Sequence, residues 1–490
     1  DVLGSRGLGD VYKRQALQLI KRENPFPAVC GRICNRRCED ACTRGTVDQA
    51  VAIDEVKRFI AQQDLDAATR FVPEKVIPKV DGAFDQQIAI IGGGPAGLSC
   101  AYYLAEKGYR PTVFEKERRL GGMLENGLPS FRLEKDVVQA EIDVLREMGV
   151  QFRCGVEVGK DVTIAQLRQE GFRGFYVAVG LQSGGKLDIP GGDAQGVMAG
   201  IDFMRQVNGG QCSKLAGPVV VIGGGNIAAD VARTAVRCGA ESVDLYCLES
   251  YDDMPMGPED RGECERDGIT IHAGWGQTEI VTENGHAAGI RFRKCLRVKN
   301  DQGRFAPEFD DNDTCQAQCA TVLYCIGQKV DWRQLLTGTA VTFNPNGTAQ
   351  VDPVTYQTAE PGIFAGGDAV TGQKFAIDAI AAGKEGAISL HRFVQKATLT
   401  IGRNRRQFVE LDKENALIPV GFDNTPRQQI GYNEALRRTF RDERIAFTAQ
   451  QVQKETARCL SCGASVVDPN KCIGCGVCTT KCAFDAIHLH

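Results

Sequence analysis

Short apolar runs separated by polar segments recur along the 490 residues of the chain. Four of these runs end at a glycine: IAII before Gly92, FYVAV before Gly180, VVVI before Gly223 and LYCI before Gly327. Such runs are typical of buried parallel strands, and the Ala-rich or amphipathic segments between them predict helices. The pattern therefore predicts an α/β fold. No run approaches the roughly 20 apolar residues that a membrane-spanning helix needs.

The first of these runs begins a predicted dinucleotide-binding unit. The strand Ile88–Ile91 leads into a G-x-G-x-x-G turn, an Ala-rich helical stretch follows, and a second strand, PTVFE, ends in Glu115. In such a unit the glycines let the backbone approach a pyrophosphate, and the acid accepts a hydrogen bond from a ribose hydroxyl. The residues predicted to bind the nucleotide are Gly92, Gly94, Pro95, Ala96, Gly97 and Glu115.

The same arrangement returns at PVVVIGGGNIAADVARTAVRCGAESVDLYCLES. The strand Val219–Ile222 leads into a second glycine turn, and the strand after the helix again ends at an acid. The residues predicted to bind here are Gly223, Gly225, Asn226, Ala228 and Glu249. Two such units predict two bound nucleotides, and the alternative is that one unit is a scaffold without a ligand.

Two further glycine motifs relate the units to each other. Gly121 and Gly122 follow the first unit, and Gly366, Gly367 and Asp368 follow a short apolar strand far downstream. The arrangement resembles flavoprotein reductases in which the first unit holds FAD and a second, inserted unit holds NAD(P)H. The resemblance implies that Asp368 approaches the FAD ribityl chain and that the helix AIDAIAAGKEGAISLHRF points its N-terminus at the flavin. It implies an FAD-binding domain at 81–212 and 336–397, with an NAD(P)H-binding domain at 213–335 between its two parts.

A redox-active pair of cysteines, as disulfide reductases of this kind use, is not expected. The segment GGMLENGLPSFRL after the first unit contains no cysteine. Cys315 and Cys319 are four apart in the inserted unit, in a segment whose polar composition predicts a loop. We therefore expect no dithiol route and no catalytic side chain, because hydride transfer between two bound rings requires positioning and not a nucleophile.

Ten of the 20 cysteines fall into two groups, one at each end of the chain. Near the C-terminus, Cys472, Cys475, Cys478 and Cys482 have the spacing of a bacterial ferredoxin run, and a C-x2-C pair precedes them at Cys459 and Cys462. These six thiols predict at least one [4Fe–4S] cluster in a small ferredoxin-like module at 456–490, after a linker at 398–455. A zinc knuckle is the alternative.

The other group is Cys30, Cys34, Cys38 and Cys42, in NPFPAVCGRICNRRCEDAC. Together with GLPSFRLEKDVVQAEIDVLREMGV and GIFAGGDAVTG, this segment resembles the small (β) subunit of bacterial glutamate synthase and the electron-entry half of dihydropyrimidine dehydrogenase, over about residues 24–393. The resemblance implies a helical iron–sulfur domain at 16–80 with Cys34, Cys38 and Cys42 as [4Fe–4S] ligands and Cys30 as a spare cysteine. Lys57 stands where that family often has a Gln or Glu ligand.

The first 15 residues, DVLGSRGLGDVYKRQ, have no hydrophobic periodicity. They resemble translated sequencing-library adaptor, so we set residues 1–15 aside and expect the true upstream sequence to supply an earlier cysteine series. Without that series the four cysteines are half a site, and the chain as given is not expected to assemble both N-terminal clusters.

The net charge and the grouping of the cysteines limit the kinds of partner and cofactor that are expected. A net charge of −4 argues against a nucleic-acid partner. No signal peptide is recognised, and clustered thiols predict metal ligands in a reducing cytoplasm. Five histidines are few for His-based acid–base or zinc chemistry. The fold class predicted is α/β, with two nested Rossmann-like dinucleotide-binding domains, a helical N-terminal iron–sulfur domain and a C-terminal ferredoxin-like module.

The function predicted is an oxidoreductase that passes electrons from NAD(P)H through FAD to [4Fe–4S] clusters. From there they reach a partner protein of the ferredoxin, synthase, hydrogenase or reductase type. The alternatives are an electron relay in which one nucleotide site is inactive, and the reverse reaction, from reduced ferredoxin to NAD(P)⁺. NADH is expected over NADPH, because Glu249 and the neighbouring LYCLES occupy the region where NADPH-using relatives carry an arginine pair.

Overall fold

The computed structural model describes residues 10–75, 84–403, 413, 418, 421–460, 475 and 477. In this part of the chain, two parallel sheets with flanking helices follow a helical N-terminal segment, and residues 421–460 return to pack on all of them. This confirms the predicted α/β fold with two Rossmann-like units. The ferredoxin-like module lies almost wholly outside the described residues.

The first sheet contains five parallel strands, and the strand of the first glycine turn lies in its centre. In spatial order the strands are Ile363–Ala365, Phe172–Val177, Gln87–Ile91, Thr112–Glu115 and Gln151–Cys154. The helices of this unit are Pro95–Glu106, Met123–Asn126, Lys135–Glu147, Ile164–Gln169, Asp368–Thr371 and Ala376–Val394. The last helix packs closely on the first, because a Cβ added at Gly383 would lie 2.3 Å from the carbonyl oxygen of Ala96.

The second sheet is inserted between two strands of the first. In spatial order its strands are Val197–Ala199, Thr321–Tyr324, Val219–Ile222, Val243–Cys247 and Thr270–Ala273. The associated helices are Gly200–Asn208, Asn226–Arg237 and Pro258–Arg266. The chain crosses between the units through a two-stranded ribbon, in which Ser183–Gly184 pairs with Gln328–Lys329. The predicted boundary at 213 assigns Val197–Ala199 to the first unit, whereas its hydrogen bonds place it in the second sheet.

A three-stranded antiparallel sheet follows the second parallel sheet. Its strands are Trp275–Glu283, His286–Lys299 and Phe305–Gln318. The prediction of a loop around Cys315 is therefore wrong, because the segment is an edge strand that is largely exposed on both faces. Its polar composition conceals the strand, and cross-strand ion pairs from Arg293 and Arg297 to carboxylates of this strand help to hold it.

The N-terminal segment is helical, as predicted. Its helices are Asp10–Lys21, Pro27–Ile33, Arg37–Asp40 and Ile53–Leu65, with a 3₁₀ turn at Thr43–Thr46. The first helix begins at Asp10, within the residues 1–15 that the sequence analysis sets aside as adaptor-like. The buried side chains described in that helix begin with Ala16 and Leu17, which pack on the helix Ile53–Leu65.

Residues 421–455 of the segment predicted as a linker pack against the other domains. This part of the chain contains the strands Gly431–Tyr432 and Arg444–Ile445, the 3₁₀ turn Glu434–Leu436 and the helix Ala449–Ala457. Phe447 and Val452 are buried in the core of the N-terminal helical segment. Arg458 and Glu455 are fully buried and pair with each other at 2.6 Å. The segment therefore brings Cys459 to the surface of the N-terminal domain in a fixed position.

Among the described residues, no helix combines the length and the apolar character that crossing a membrane requires.

Candidate functional site

A continuous cavity of about 1330 Å³ runs between the two nucleotide-binding units. Ligand pockets are typically about 300–1,000 Å³, so this cavity has room for more than one small ligand. It joins the two glycine turns to the loop that carries Cys34. Its lining includes Gly92, Gly94, Glu115, Gly122, Gly225, Asn226, Glu249, Gly367, Asp368 and Cys34.

The first glycine turn leaves space where a phosphate would approach. A Cβ at Gly92 would lie 2.4 Å from the carbonyl oxygen of Ala178, and one at Gly97 would lie 2.0 Å from that of Gly92. These two glycines therefore permit close packing of strand and helix. A Cβ at Gly94 would meet only the Cα of Gly122, at 3.8 Å, and directly after Gly94 the residues Pro95 and Ala96 begin the helix Pro95–Glu106. Free N–H groups at this helix end suit a phosphate.

Glu115 is held against that turn by two backbone amides. Its Oε2 atom accepts a hydrogen bond from the Gly93 amide at 2.6 Å, and its Oε1 atom accepts one from the Glu117 amide at 2.9 Å. Burial raises the pKa of the Glu115 carboxyl, an effect that the two amides partly offset. The carboxyl group is thus fixed beside the turn, where its remaining lone pairs can accept from a ribose hydroxyl.

The two downstream glycine motifs close the same part of the cavity. Gly121 and Gly122 both have positive φ angles, and a Cβ at Gly122 would lie 2.9 Å from the Cα of Gly94. Gly367 has a φ of 68°, and Asp368 after it faces the cavity. Burial raises the pKa of the Asp368 carboxyl to about 6. Ala376, the first residue of the long helix, also lines the cavity.

The second glycine turn repeats the first. A Cβ at Gly223 would lie 2.8 Å from the carbonyl oxygen of Cys325, whereas one at Gly225 would meet nothing within 4 Å. Asn226 begins the helix after it, and its buried Oδ1 atom has no hydrogen-bond partner among the described residues. Ala228 is fully buried, as the close approach of helix and strand requires. An open glycine, a helix N-terminus and an unpartnered polar atom fit a dinucleotide.

Glu249 has the same relation to the second turn that Glu115 has to the first. A Cβ placed on Gly224 would lie 2.7 Å from the Oε2 atom of Glu249, so the carboxylate lies directly against the turn. The side chain is half-buried and lines the cavity. Both predicted acids therefore stand at the carboxyl end of the second strand of their unit, where ribose hydroxyls are bound in this fold.

The geometry of both turns fits FAD and a nicotinamide dinucleotide. When bound, a flavin accepts hydride from a nicotinamide and passes on electrons singly. The protein's own part is to hold the two dinucleotides at their phosphates and riboses, to orient their rings at the junction of the units and to limit the access of water. Cys315 and Cys319 are not among the residues that line this cavity.

Residues that the sequence analysis missed connect the cysteine loop to both units. Arg37, next to Cys38, forms a two-pronged ion pair with Asp378 at 2.9 and 3.1 Å, in the first turn of the long helix. Arg36 pairs with Glu259 of the inserted unit at 2.7 Å. Both arginines line the cavity. No local pattern marks them, because their partners are distant in the sequence.

The cysteines of the N-terminal group have different environments. Cys34 lines the cavity, and its Sγ atom accepts a hydrogen bond from the Arg36 amide at 3.4 Å. Cys38 is exposed and Cys42 half-buried. Cys30 is buried, which raises the pKa of its thiol to about 12, and its thiol donates to the Asn24 Oδ1 atom. Within the described ranges, no three or more Cys, His, Asp or Glu side chains are gathered in a metal-binding arrangement.

Lys57 does not offer a lone pair in place of the Gln or Glu ligand. Its ammonium group lies 2.6 Å from the Asp54 Oδ1 atom. Burial alone would lower the pKa of Lys57, but Asp54, followed by Cys34 and Cys30, raises it above its ordinary value. Lys57 is therefore a cation beside the thiols of this group.

The described residues include two of the six C-terminal cysteines. Cys459 and Cys475 are exposed. Cys462, Cys472, Cys478 and Cys482 lie outside the described residues.

Three family models match the chain. "Pyridine nucleotide-disulphide oxidoreductase" matches residues 86–383, which include both glycine turns. The model for dihydropyrimidine dehydrogenase domain II, 4Fe-4S cluster, matches residues 9–69, and a 4Fe-4S binding domain matches residues 465–487. The second match covers Cys34, Cys38 and Cys42, and the third covers the four cysteines of the ferredoxin run.

Relatives match most of the chain. It is 33% identical over 477 residues to the NADP(+)-dependent formate dehydrogenase subunit beta of Moorella thermoacetica, covering 91% of this chain and 67% of the relative. It is 29% identical to the NADPH-Fe(3+) oxidoreductase subunit beta of Geobacter sulfurreducens (91% and 71% covered). It is 31% identical to the NAD-dependent dihydropyrimidine dehydrogenase subunit PreT of Escherichia coli O157:H7 (78% and 85% covered).

Solved structures show the same fold. FprA of Mycobacterium tuberculosis in complex with NADPH matches with a TM-score of 0.54 and 17% identity, covering 64% of this chain and 85% of that one. Thioredoxin reductase of Lactococcus lactis matches with a TM-score of 0.50 and 19% identity, covering 64% and 100%. The cavity, the two glycine turns and the matched models together lead to one assignment. The chain belongs to the pyridine nucleotide-disulphide oxidoreductase family and is an NAD(P)H-dependent FAD and iron–sulfur oxidoreductase.

Proposed function

We propose that this protein takes electrons from NADH through FAD to [4Fe–4S] clusters and delivers them to a partner protein. The observation that supports this most directly is the cavity, because both glycine turns, Asp368 and Cys34 line the same space. A nicotinamide gives up two electrons as hydride, whereas an iron–sulfur cluster takes one at a time. A flavin can exchange electrons with both, so it has to lie between them.

The residues proposed for each group follow the geometry of the turns. For FAD they are Gly92, Gly94, Pro95, Ala96, Gly97, Glu115, Gly121, Gly122, Gly367 and Asp368. For the nicotinamide dinucleotide they are Gly223, Gly225, Asn226, Ala228 and Glu249. For the clusters they are Cys34, Cys38, Cys42, Cys459, Cys462, Cys472, Cys475, Cys478 and Cys482.

The partner proposed is an electron-accepting catalytic subunit, as in the glutamate synthase arrangement. Three relatives are named as subunits: of a formate dehydrogenase, of an Fe(3+) oxidoreductase and of a dihydropyrimidine dehydrogenase. These names support a subunit that supplies or removes electrons for a second protein. The chemistry of that second protein differs among the relatives, so a synthase, hydrogenase, reductase or ferredoxin is equally compatible with the cavity.

The choice of NADH rests on Glu249. A carboxylate at the end of the second strand accepts from the free 2′-hydroxyl of NADH and repels the 2′-phosphate of NADPH. The names of two relatives specify NADP(H), and a third specifies NAD. The relatives therefore differ in their cofactor, and the side chain beside the second turn supports NADH here.

The experiment is anaerobic addition of NADH or NADPH to FAD-loaded protein, with the flavin absorbance as readout. Rapid loss of this absorbance with NADH is expected. An electron relay with an inactive nucleotide site would leave the flavin oxidised with both reductants. Addition of reduced ferredoxin and NAD⁺ to the same protein tests the reverse direction, in which NADH would accumulate.

A further inference from the structure

One arginine of the FAD-binding unit is surrounded by carboxylates of the inserted unit. Arg132 lies between the helices Met123–Asn126 and Lys135–Glu147. Its Nε atom is 2.6 Å from the Asp230 Oδ1 atom, and its Nη2 atom is 2.6 Å from the Asp260 Oδ1 atom. Glu263 lies 3.7 Å away. A single guanidinium thus joins the two nucleotide-binding units across the wall of the cavity.

Asp230 connects this contact to the second glycine turn. It is 5% exposed and lies about one turn beyond Asn226 in the helix Asn226–Arg237. Because a helix moves as a rigid body over so short a distance, a contact that holds Asp230 also holds Gly225 and Asn226. Asp260 lies in a second helix, Pro258–Arg266, whose N-terminal residues line the cavity, so its contact with Arg132 holds this helix in the same way.

The segment 437–444 contacts the backbone of Arg132. The guanidinium of Arg444 donates to the carbonyl oxygen of Arg132 at 2.9 Å and to that of Arg32, in the N-terminal domain, at 3.0 Å. Asp442 pairs with Arg58 of the N-terminal domain at 2.9 Å.

The same segment also contacts the inserted unit through ion pairs and a hydrogen bond. Glu443 pairs with Arg266 and lies 3.5 Å from Arg233. The guanidinium of Arg438 donates to the carbonyl oxygen of Asp267 at 2.6 Å. The segment therefore contacts three domains within eight residues, and the backbone of Arg132 lies where they meet.

We propose that Arg132 is a positioning residue for hydride transfer, which fixes the orientation of the inserted unit against the FAD-binding unit. This inference rests on the proposed function. Hydride transfer requires reacting atoms about 3–3.5 Å apart, and a misplacement of about 1 Å can cost about 100-fold in rate. Domains joined by small interfaces move relative to each other unless something holds them. Arg132, which lines the cavity together with residues of both turns, supplies this restraint.

The two-pronged geometry distinguishes Arg132 from an ordinary cation. A guanidinium reaches two carboxylates in fixed directions, whereas a lysine ammonium satisfies one of them and keeps the charge. Arg132→Lys is therefore the informative variant, because it preserves the neutralisation of the buried carboxylates that folding needs. Asp260→Asn removes the negative charge of one partner and keeps its volume. The matched control is Arg119→Lys, since Arg119 pairs with Glu125 at 2.7 Å within the FAD-binding unit and is 64% exposed.

The experiment is anaerobic stopped-flow reduction of FAD-loaded protein over a range of NADH concentrations. For Arg132→Lys we expect the limiting rate to fall by about 10- to 100-fold, while the half-saturating NADH concentration changes by less than about threefold. The long-wavelength charge-transfer absorbance of stacked nicotinamide and flavin should weaken as well. Asp260→Asn should lower the limiting rate less, and Arg119→Lys should leave it unchanged. FAD content and thermal midpoint are measured on every variant.

A wild-type limiting rate in Arg132→Lys would overturn this inference alone. So would a loss of rate that follows loss of FAD or of thermal stability. Failure of both NADH and NADPH to reduce the wild-type flavin would instead overturn the proposed function, and this inference with it.

Discussion

The preference for NADH should depend on one carboxylate, and Glu249→Arg should shift it toward NADPH. In the structure, this carboxylate lies against the second glycine turn, 2.7 Å from where a Cβ on Gly224 would stand. The arginine side chain puts a positive charge where the 2′-phosphate of NADPH would lie. It also removes the acceptor for the 2′-hydroxyl of NADH.

The magnitude follows from the charge and its exposure. Two unit charges about 4 Å apart interact by about 4 kcal/mol at an effective dielectric constant near 20. Glu249 is half-buried, so water screens the charge and the side chain can turn outward. We take about half of this value, about 2 kcal/mol, which is roughly 30-fold in affinity. The wild type should therefore prefer NADH by about 10- to 100-fold, and Glu249→Arg should shift the ratio toward NADPH by at least about 30-fold.

The assay is kcat/KM for flavin reduction by each cofactor, and the control is Glu241→Arg. Glu241 is exposed and precedes the strand Val243–Cys247, at the end of the sheet opposite to Glu249. The strand separates the two sites by about 17 Å, which exceeds the Debye length of about 10 Å at 0.1 M salt. Equal or better use of NADPH by the wild type would refute the reasoning, as would an equal shift in both variants.

Three further predictions address FAD, the nicotinamide dinucleotide and the docked C-terminal segment. In the protein without FAD, the pKa of the Asp368 carboxyl is raised to about 6. Accepting a hydrogen bond from a ribityl hydroxyl favours the ionised carboxylate, so FAD binding below this pH releases a proton. The affinity for FAD should therefore rise with pH up to about 6 and then level off. Fluorescence titrations from pH 5 to 8 test this, and Asp368→Asn should abolish the dependence. Gly225→Val should weaken NADH binding more than about tenfold in calorimetry, because the new side chain would stand in the open space that a phosphate would approach. FAD content should stay unchanged, because that side chain meets no protein atom within 4 Å. Arg458→Met should lower the opening free energy of the helix Ala449–Ala457, measured by hydrogen exchange, by about 3–5 kcal/mol, because it leaves the buried Glu455 without its ion-pair partner. The exposed Arg441→Met is its control, and equal protection in both variants would contradict the prediction.

The parts of the fold that depend on local patterns could be predicted from the sequence. Each glycine turn, with its strand, helix and terminal acid, is encoded within about 30 residues. The structure accordingly places Glu115 and Glu249 against their turns. The return of the chain to the first sheet could also be predicted, because apolar strands ending at Gly180 and Gly327 mark both crossings.

The parts that depend on distant contacts could not be predicted. The strand Val197–Ala199 has three residues and no alternation, so only its pairing with Thr321–Tyr324 identifies it. The docking of residues 421–460 depends on ion pairs such as Arg458 with Asp48, whose members are hundreds of positions apart. Arg132 likewise has no local signature, because its meaning comes from Asp230 and Asp260 in another domain. From the sequence alone, a charged residue in a polar segment is predicted to be exposed to solvent, because its ion-pair partners are known only from the structure.

The most direct test of the electron path is a comparison of FAD-loaded and FAD-depleted protein after anaerobic iron–sulfur reconstitution. NADH is added, and flavin absorbance and the low-temperature EPR signal of reduced clusters are followed together. The account predicts that in the FAD-loaded protein the flavin is reduced first and the cluster signal then appears, whereas in the FAD-depleted protein the clusters stay oxidised. Reduction of the clusters at the same rate without FAD, or an unreduced flavin beside reduced clusters, would contradict it.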